Sequence, residues 1–127
     1  MDKKYIDIAG RIIENNLRIK PSEKVVIVSD DQTENFGRAF FEACQEQGLN
    51  SILMLMPITR TDGAEPPDTL GQAMQKADVI IAVTKFTLTH GKATKLALEN
   101  GARVLSIPGI NERIFFSKAM EGSVDMV

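Results

Sequence analysis

The sequence holds one cysteine, one histidine, one tyrosine and no tryptophan in 127 residues, and each scarcity closes off a class of chemistry. A lone thiol, Cys44, cannot form an internal disulfide, and its neighbours Phe40, Phe41 and Ala43 mark it as buried and inert. A lone imidazole, His90, leaves no His-x-x-x-His or Glu-x-x-His spacing, and there is no Cys-x-x-Cys pair, so no metal site is legible. Lysine and arginine number 15 against 17 acidic residues, so the clustered positive charge that nucleic acid requires is missing. No apolar run approaches the ~20 residues of a membrane span. Met1-Asp2-Lys3-Lys4 leads into an amphipathic segment and not a signal peptide. The expectation is a reduced, cytoplasmic protein with neither nucleic acid nor membrane as partner. Glycine-rich phosphate loops are missing too. The first strand-to-helix turn, Ser29-Asp30-Asp31-Gln32-Thr33, offers two carboxylates and no glycine, which argues against nucleotide binding of the usual kind.

What is present is the balance of an ordinary globular domain, 43% apolar and 25% charged, in one unit, residues 1–127, large enough to bury a core. Tyr5, Ile8, Ile12, Ile13 and Leu17 lie on one helical stripe, predicting an amphipathic helix from Lys4 to about Leu17. Val25–Val28 is the first apolar strand. Asp31 or Thr33 can cap the next helix, Asp31 with Glu34 fits a capping box, and Gly48 ends that helix. Ser51–Met56 is a second strand, apolar throughout. Periodicity is lost from Pro57 to Pro67, a loop in which Pro66-Pro67 holds Glu65 extended. Asp68 then opens a short helix with Leu70, Ala73, Met74 and Ala77 on one stripe.

The stretch from Asp78 to Gly109 organises the rest. Val79–Val83 is a continuous apolar run, the pattern of a strand buried on both faces. Helix Lys92–Asn100, Gly101 and strand Arg103–Ile107 follow, making a βαβ unit with parallel strands and a right-handed crossover. Asn111 is a good N-cap for a last helix from about Glu112 to Met120, with Ile110 stapled onto Phe115. Four apolar strands separated by helices give a three-layer α/β/α domain with a four-stranded parallel sheet, order 2-1-3-4, flavodoxin- or Rossmann-like in plan. Ligands in such sheets bind at the carboxyl ends of the strands beside the topological switch. Ser29, Asp30 and Asp31 should therefore lie near Thr84, Lys85 and the loop to His90.

The candidate residues carry competing readings. Asp30-Asp31 with Thr84 and Lys85 superficially resemble a phosphoacceptor receiver site, but no aspartate ends the central strand to serve as nucleophile. Turn and capping duty is the simpler role for both aspartates. Lys85 can meet a substrate carboxylate or pair with Asp30 across the crevice. His90 reads as a residue in the first turn of a helix capped by Thr89, although strand-to-helix turns are also where α/β proteins put recognition groups. Lys92, Lys95 and Arg103 read as a solvated face.

Glu65-Pro66-Pro67, Ala77-Asp78-Val79-Ile80-Ile81-Ala82, Thr84-Lys85, Leu88-Thr89-His90, Gly101-Ala102-Arg103 and Pro108-Gly109-Ile110, taken in order, resemble the amino-terminal half of the aminopeptidase T (thermophilic metallo-aminopeptidase, "leucyl aminopeptidase") family. The resemblance extends over nearly the whole chain. It implies the amino-terminal domain of a longer two-domain enzyme that removes amino-terminal residues from peptides. Two divalent ions, zinc or cobalt, are then held by the carboxy-terminal part, and none by this chain. It further implies a homodimer, with peptide substrate engaged through the carboxy-terminal domain. No catalytic residue falls here, and Thr84, Lys85, Thr89 and His90 become the substrate-facing candidates on the cavity wall. A related branch of that family contains a ring-cleaving dioxygenase. The chain departs from the pattern at Gly91, where a hydroxyl residue is expected, and ends where family members continue, as a domain cut from a longer protein or a natural short homologue. The alternative is a stand-alone, non-catalytic α/β module that binds a small anionic ligand or mediates oligomerisation.

Overall fold

A computed structural model of the chain describes residues 2–58, 65–88 and 91–121. The strands are β1 (Lys24–Asp30), β2 (Asn50–Met56), β3 (Val79–Val83) and β4 (Arg103–Ser106). The helices are α1 (Lys3–Ile12), α2 (Glu34–Glu46), α3 (Asp68–Gln75), α4 (Lys92–Glu99) and α5 (Glu112–Glu121). All pairings are parallel, in the order β2-β1-β3-β4, as the apolar runs and intervening helices predict.

Side-chain alternation along the strands divides the core in two. Val25, Ile27, Val79, Ile81 and Leu105 face one layer, where they join Ile8, Ile12, Phe36, Phe40 and Phe115 from α1, α2 and α5. Val26, Val28, Ile80 and Val104 face the other, against Leu70, Met74, Ala93 and Ala97 from α3 and α4. The first layer has an aromatic centre. Tyr5 stacks on Phe115 at 5.9 Å between ring centroids, and Phe36 and Phe40 meet the same ring edge-on. Gly37 lets α2 approach β1 closely: a Cβ there would lie 2.4 Å from Ser29 Oγ and 2.9 Å from Leu53 Cδ1. Cys44, on the inward face of α2, is fully buried, and burial pushes its thiol up to about 11.

The end of the first helix departs from regular α geometry. Ile13–Leu17 forms a π-helical turn that closes on Arg18 at φ 48°. The Leu17 carbonyl accepts from Arg103 Nη2 at 3.0 Å. The same guanidinium grips both carboxylate oxygens of Glu23, at 2.7 and 3.1 Å. Arg103 is therefore not part of a solvated face. It clamps the turn before β1 to the start of β4. Asp78 does similar work beside it, its carboxylate accepting from Lys24 N at 2.8 Å.

β2 lies at the sheet edge, where the order 2-1-3-4 places it, and Ile52 is 49% exposed and Leu55 47%. The capping of α2 is corrected. Thr33 stands at the N-cap of α2 but makes no capping bond, because its hydroxyl is turned back to the Asp30 carboxylate at 3.2 Å. Asp31 does not close a capping box there either. Its carboxylate accepts from Ile58 N at 2.9 Å. At α5 the reading holds, with Asn111 Oδ1 accepting from Ile114 N at 2.9 Å and Ile110 and Phe115 buried in one cluster.

Candidate functional site

The carboxyl edge of the sheet is where β1 and β3 diverge, and Asp30 is its keystone. Its carboxylate is buried, at 1% exposure. Oδ1 accepts from Gln32 N at 2.8 Å and from the Thr33 hydroxyl. Oδ2 reaches across to Lys85 N at 2.8 Å. The pairing of Lys85 with Asp30 thus exists, but through the backbone amide. With Asp30 tying β1 to β3 and Asp31 fixing the exit of β2, both carboxylates are engaged in shaping turns. That is the reading opposed to a receiver-like cation site.

The Lys85 side chain is left at the surface. Its ammonium lies 3.3 Å from Gln32 Oε1 and 6.0 Å above the Phe86 ring. Thr84 is buried, and its hydroxyl donates to the Phe86 carbonyl at 2.6 Å, closing the turn on itself. The turn after β4 locks onto the same place. Gly109, at φ 66°, donates its amide to the carbonyls of Thr84 and Lys85, a conformation that favours glycine because it has no Cβ. Thr89 and His90, the other two substrate-facing candidates, lie outside the described residues.

The cap of α4 comes from elsewhere in the chain. Gly91 occupies the N-cap position and has no side chain to offer. Glu65 supplies the missing acceptor, its carboxylate taking the amides of Lys92 and Ala93. A carboxylate at a helix amino terminus meets both unpaired N–H groups and the positive end of the dipole. The Glu65-Pro66-Pro67 signature therefore has a local physical role: the prolines stiffen the segment that carries the cap.

Beside Gln32 a cleft of about 460 Å³ opens between the amino ends of α1, α2 and α5. Asp2, Tyr5, Asn35, Phe36 and Glu112 line it along with Gln32. Hydrogen bonding to Glu112, then burial and the negative charges of Glu112 and Asp2, push the Tyr5 hydroxyl up to about 12. The wall is therefore polar at its rim, aromatic at its floor and acidic in charge. It suits a small polar molecule with an apolar part better than a phosphate. Of the polar residues lining this cleft, sequence reasoning singled out none: Tyr5, Asn35 and Glu112 carried no site signal, and Gln32 was only a member of the first strand-to-helix turn.

No family model matches the sequence, and no curated protein matches it. Solved structures that share its fold include two enzymes of greater length. Over 84% of this chain and 34% of the other, 2,5-dihydroxypyridine dioxygenase from Pseudomonas putida KT2440 superposes with a TM-score of 0.66 at 16% identity. Over 94% of this chain and 42% of the other, AmpT from Thermus thermophilus superposes with a TM-score of 0.54 at 13% identity. At such identities the likeness is one of fold. In both cases the chain spans less than half of the protein that it matches.

Proposed function

We propose that this chain is the amino-terminal domain of a metal-dependent aminopeptidase of the aminopeptidase T kind, serving as scaffold and cavity wall. The observation that carries the reading is the superposition of nearly the whole chain on part of AmpT. The ordered residue pattern from Glu65 to Ile110 points to the same family. Among the described residues no three His, Cys, Asp or Glu side chains come together as a metal site. On this proposal two divalent ions sit in a carboxy-terminal half, where they would polarise the peptide carbonyl and activate water. This domain contributes the carboxyl edge of its sheet, with Lys85, exposed beside Gln32, facing a peptide carboxylate. Thr84 shapes the same turn, and Thr89 and His90, which lie outside the described residues, are the further substrate-binding residues of this proposal.

A second reading is favoured by the higher TM-score to the dioxygenase: the same scaffold in front of ring-opening chemistry. The test measures metal content, aminopeptidase activity and dihydroxypyridine ring opening, on this chain and on the longest protein that its gene encodes. Peptidase activity with bound metal in the long form alone supports the proposal, and Lys85→Ala and His90→Ala in that form should then raise KM several-fold. Ring opening moves the assignment to the dioxygenase. Peptidase activity in the short form refutes the scaffold role. A long form without either activity leaves the stand-alone binding or oligomerisation module.

A further inference from the structure

We infer that Gln32 and Lys85 form a carboxylate clamp set by Asp30, and that it selects short peptides with a free carboxyl terminus. The substrate class rests on the peptidase reading, whereas the clamp itself does not. Gln32 belongs to the turn after β1 and Lys85 to the turn after β3, 53 residues apart in sequence. One buried carboxylate fixes both backbones. Asp30 Oδ1 accepts from the Gln32 amide at 2.8 Å, and Oδ2 accepts from the Lys85 amide at 2.8 Å. The Lys85 turn is also held from its other side, where the Thr84 and Lys85 carbonyls accept from Gly109. The two side chains therefore leave fixed anchors and meet at the surface, Lys85 Nζ donating to Gln32 Oε1 at 3.3 Å. Groups held in place beforehand lower the ordering cost of binding.

The chemistry of the pair selects the ligand. Asp30 gives its second oxygen to the Lys85 amide and not to the ammonium. Among the described residues no acidic side chain pairs with that ammonium. A neutral amide holds the cation without cancelling its charge, as a glutamate at position 32 would. With Oε1 engaged by Lys85, Gln32 keeps the two N–H donors of Nε2 beside the remaining hydrogens of the ammonium. Such neighbouring donors match the two oxygens of a carboxylate, and bonds to an ionised acceptor are the stronger kind. One cation balances one carboxylate, whereas a dianionic phosphate would carry unmatched charge close to exposed Asp31. Gln32 also lines the cleft that Tyr5 and Phe36 floor, so the side chain next to a held carboxylate has an apolar surface to lie on. A peptide's α-carboxylate exists only at its end. A clamp on the cavity wall therefore favours peptides whose two ends fit within one cavity.

N-acetyl-leucine and N-acetyl-leucinamide are the probes on this chain, followed by the NMR shifts of the Gln32 side-chain NH₂ and the Lys85 amide. The carboxylate should saturate both signals and bind about 10-fold or more tightly than the amide, as charge-assisted hydrogen bonds require. Lys85→Ala and Gln32→Glu should each abolish that difference, and both positions are exposed, so the fold tolerates the changes. Gln32→Ala should weaken carboxylate binding in the parent but not in Lys85→Ala, because the two side chains act together. In the longest protein that the gene encodes, leucylglycylglycine should exceed its carboxamide in kcat/KM by about the same 10-fold, and Gln32→Glu should remove the preference. Equal binding of the two probes, or a preference that survives both Lys85→Ala and Gln32→Glu, overturns the clamp. Peptidase activity indifferent to the terminal carboxylate overturns the substrate class and leaves the peptidase reading standing. A selective clamp in a long form without peptidase activity supports the clamp and refutes the peptidase reading.

Discussion

Replacing Asp30 by asparagine is the sharpest perturbation the carboxyl edge offers. The substitution preserves shape and exchanges one acceptor oxygen for a donor. If the amide oxygen keeps the Gln32 amide and the Thr33 hydroxyl, the new NH₂ faces Lys85 N–H across the 2.8 Å that Oδ2 now spans. Donor then meets donor at a site of 1% exposure. Hydrogen bonds to a charged group contribute about 1.5–3 kcal/mol, and a stranded buried donor costs about 1–3 kcal/mol. Both figures describe the same lost contact, so the expected loss is about 2–3 kcal/mol. For a domain of this size that corresponds to a Tm lower by roughly 8–12 °C. Urea and thermal unfolding give the free energy, and hydrogen exchange at Lys85 locates it. A loss below about 0.5 kcal/mol with the Lys85 amide still protected would refute the reasoning, because Asp30 would then not be what joins the two turns.

Three other outcomes follow from the geometry. The Arg103 guanidinium, followed by the Lys20 amide, holds the Glu23 carboxyl below its ordinary 4.5. A depressed value in the folded state stabilises above the unfolded pKa and is lost as pH falls through the folded one. Glu23→Gln should therefore flatten the acid limb of a stability–pH curve and cost about 1–2 kcal/mol at neutral pH, the half-exposed guanidinium moderating the loss. Tyr5 is the only tyrosine in a chain without tryptophan, so tyrosinate absorbance reads it directly. Its ionisation should fall near 12 and drop toward 10.0 in Glu112→Gln. Being raised in the folded state, its contribution to stability is complete below pH 10.0 and lost as pH rises through about 12. Gly37→Ala should cost about 1–3 kcal/mol by overpacking α2 on Ser29 and Leu53, measured by urea titration. An alanine variant as stable as the parent would contradict the close approach.

The sheet was legible because apolar runs, glycine stops and capping residues agreed: Val79–Val83, Gly48 and Gly101, and Asn111 each announced its element. The edge place of Ser51–Met56 followed from the strand order, but its apolar composition, that of an interior strand, gave no sign that Ile52 and Leu55 would stand half exposed. The roles of Asp31, Thr33 and Arg103 escaped for a different reason. Asp31 and Arg103 are taken up by distant segments, at Ile58 and Glu23, which no local pattern announces, while the Thr33 hydroxyl turns back to Asp30 in its own turn instead of capping α2. Glu65 is the same case reversed, a loop carboxylate capping a helix 27 residues away. The candidate edge could be placed from topology alone, since the switch between β1 and β3 follows from strand order. Its cleft could not, because Tyr5, Asn35 and Glu112 converge from three helices whose packing no local pattern encodes.

The bond between β1 and β3 has a further meaning for the order in which the molecule assembles. Pairing within the first βαβ half spans 26 residues, from Val25 to Ser51. Joining the halves spans 54, from Val25 to Val79. Doubling the span adds about 0.6 kcal/mol of closure entropy, and contacts of greater separation are the slower to form. The two halves should therefore condense first, with Lys24–Asp78 and Asp30–Lys85 riveting the ends of the seam afterwards. The crevice at the carboxyl edge belongs to neither half. It comes into being with the final closure, so a ligand held there discriminates the finished chain from its folding intermediates and stabilises it by mass action.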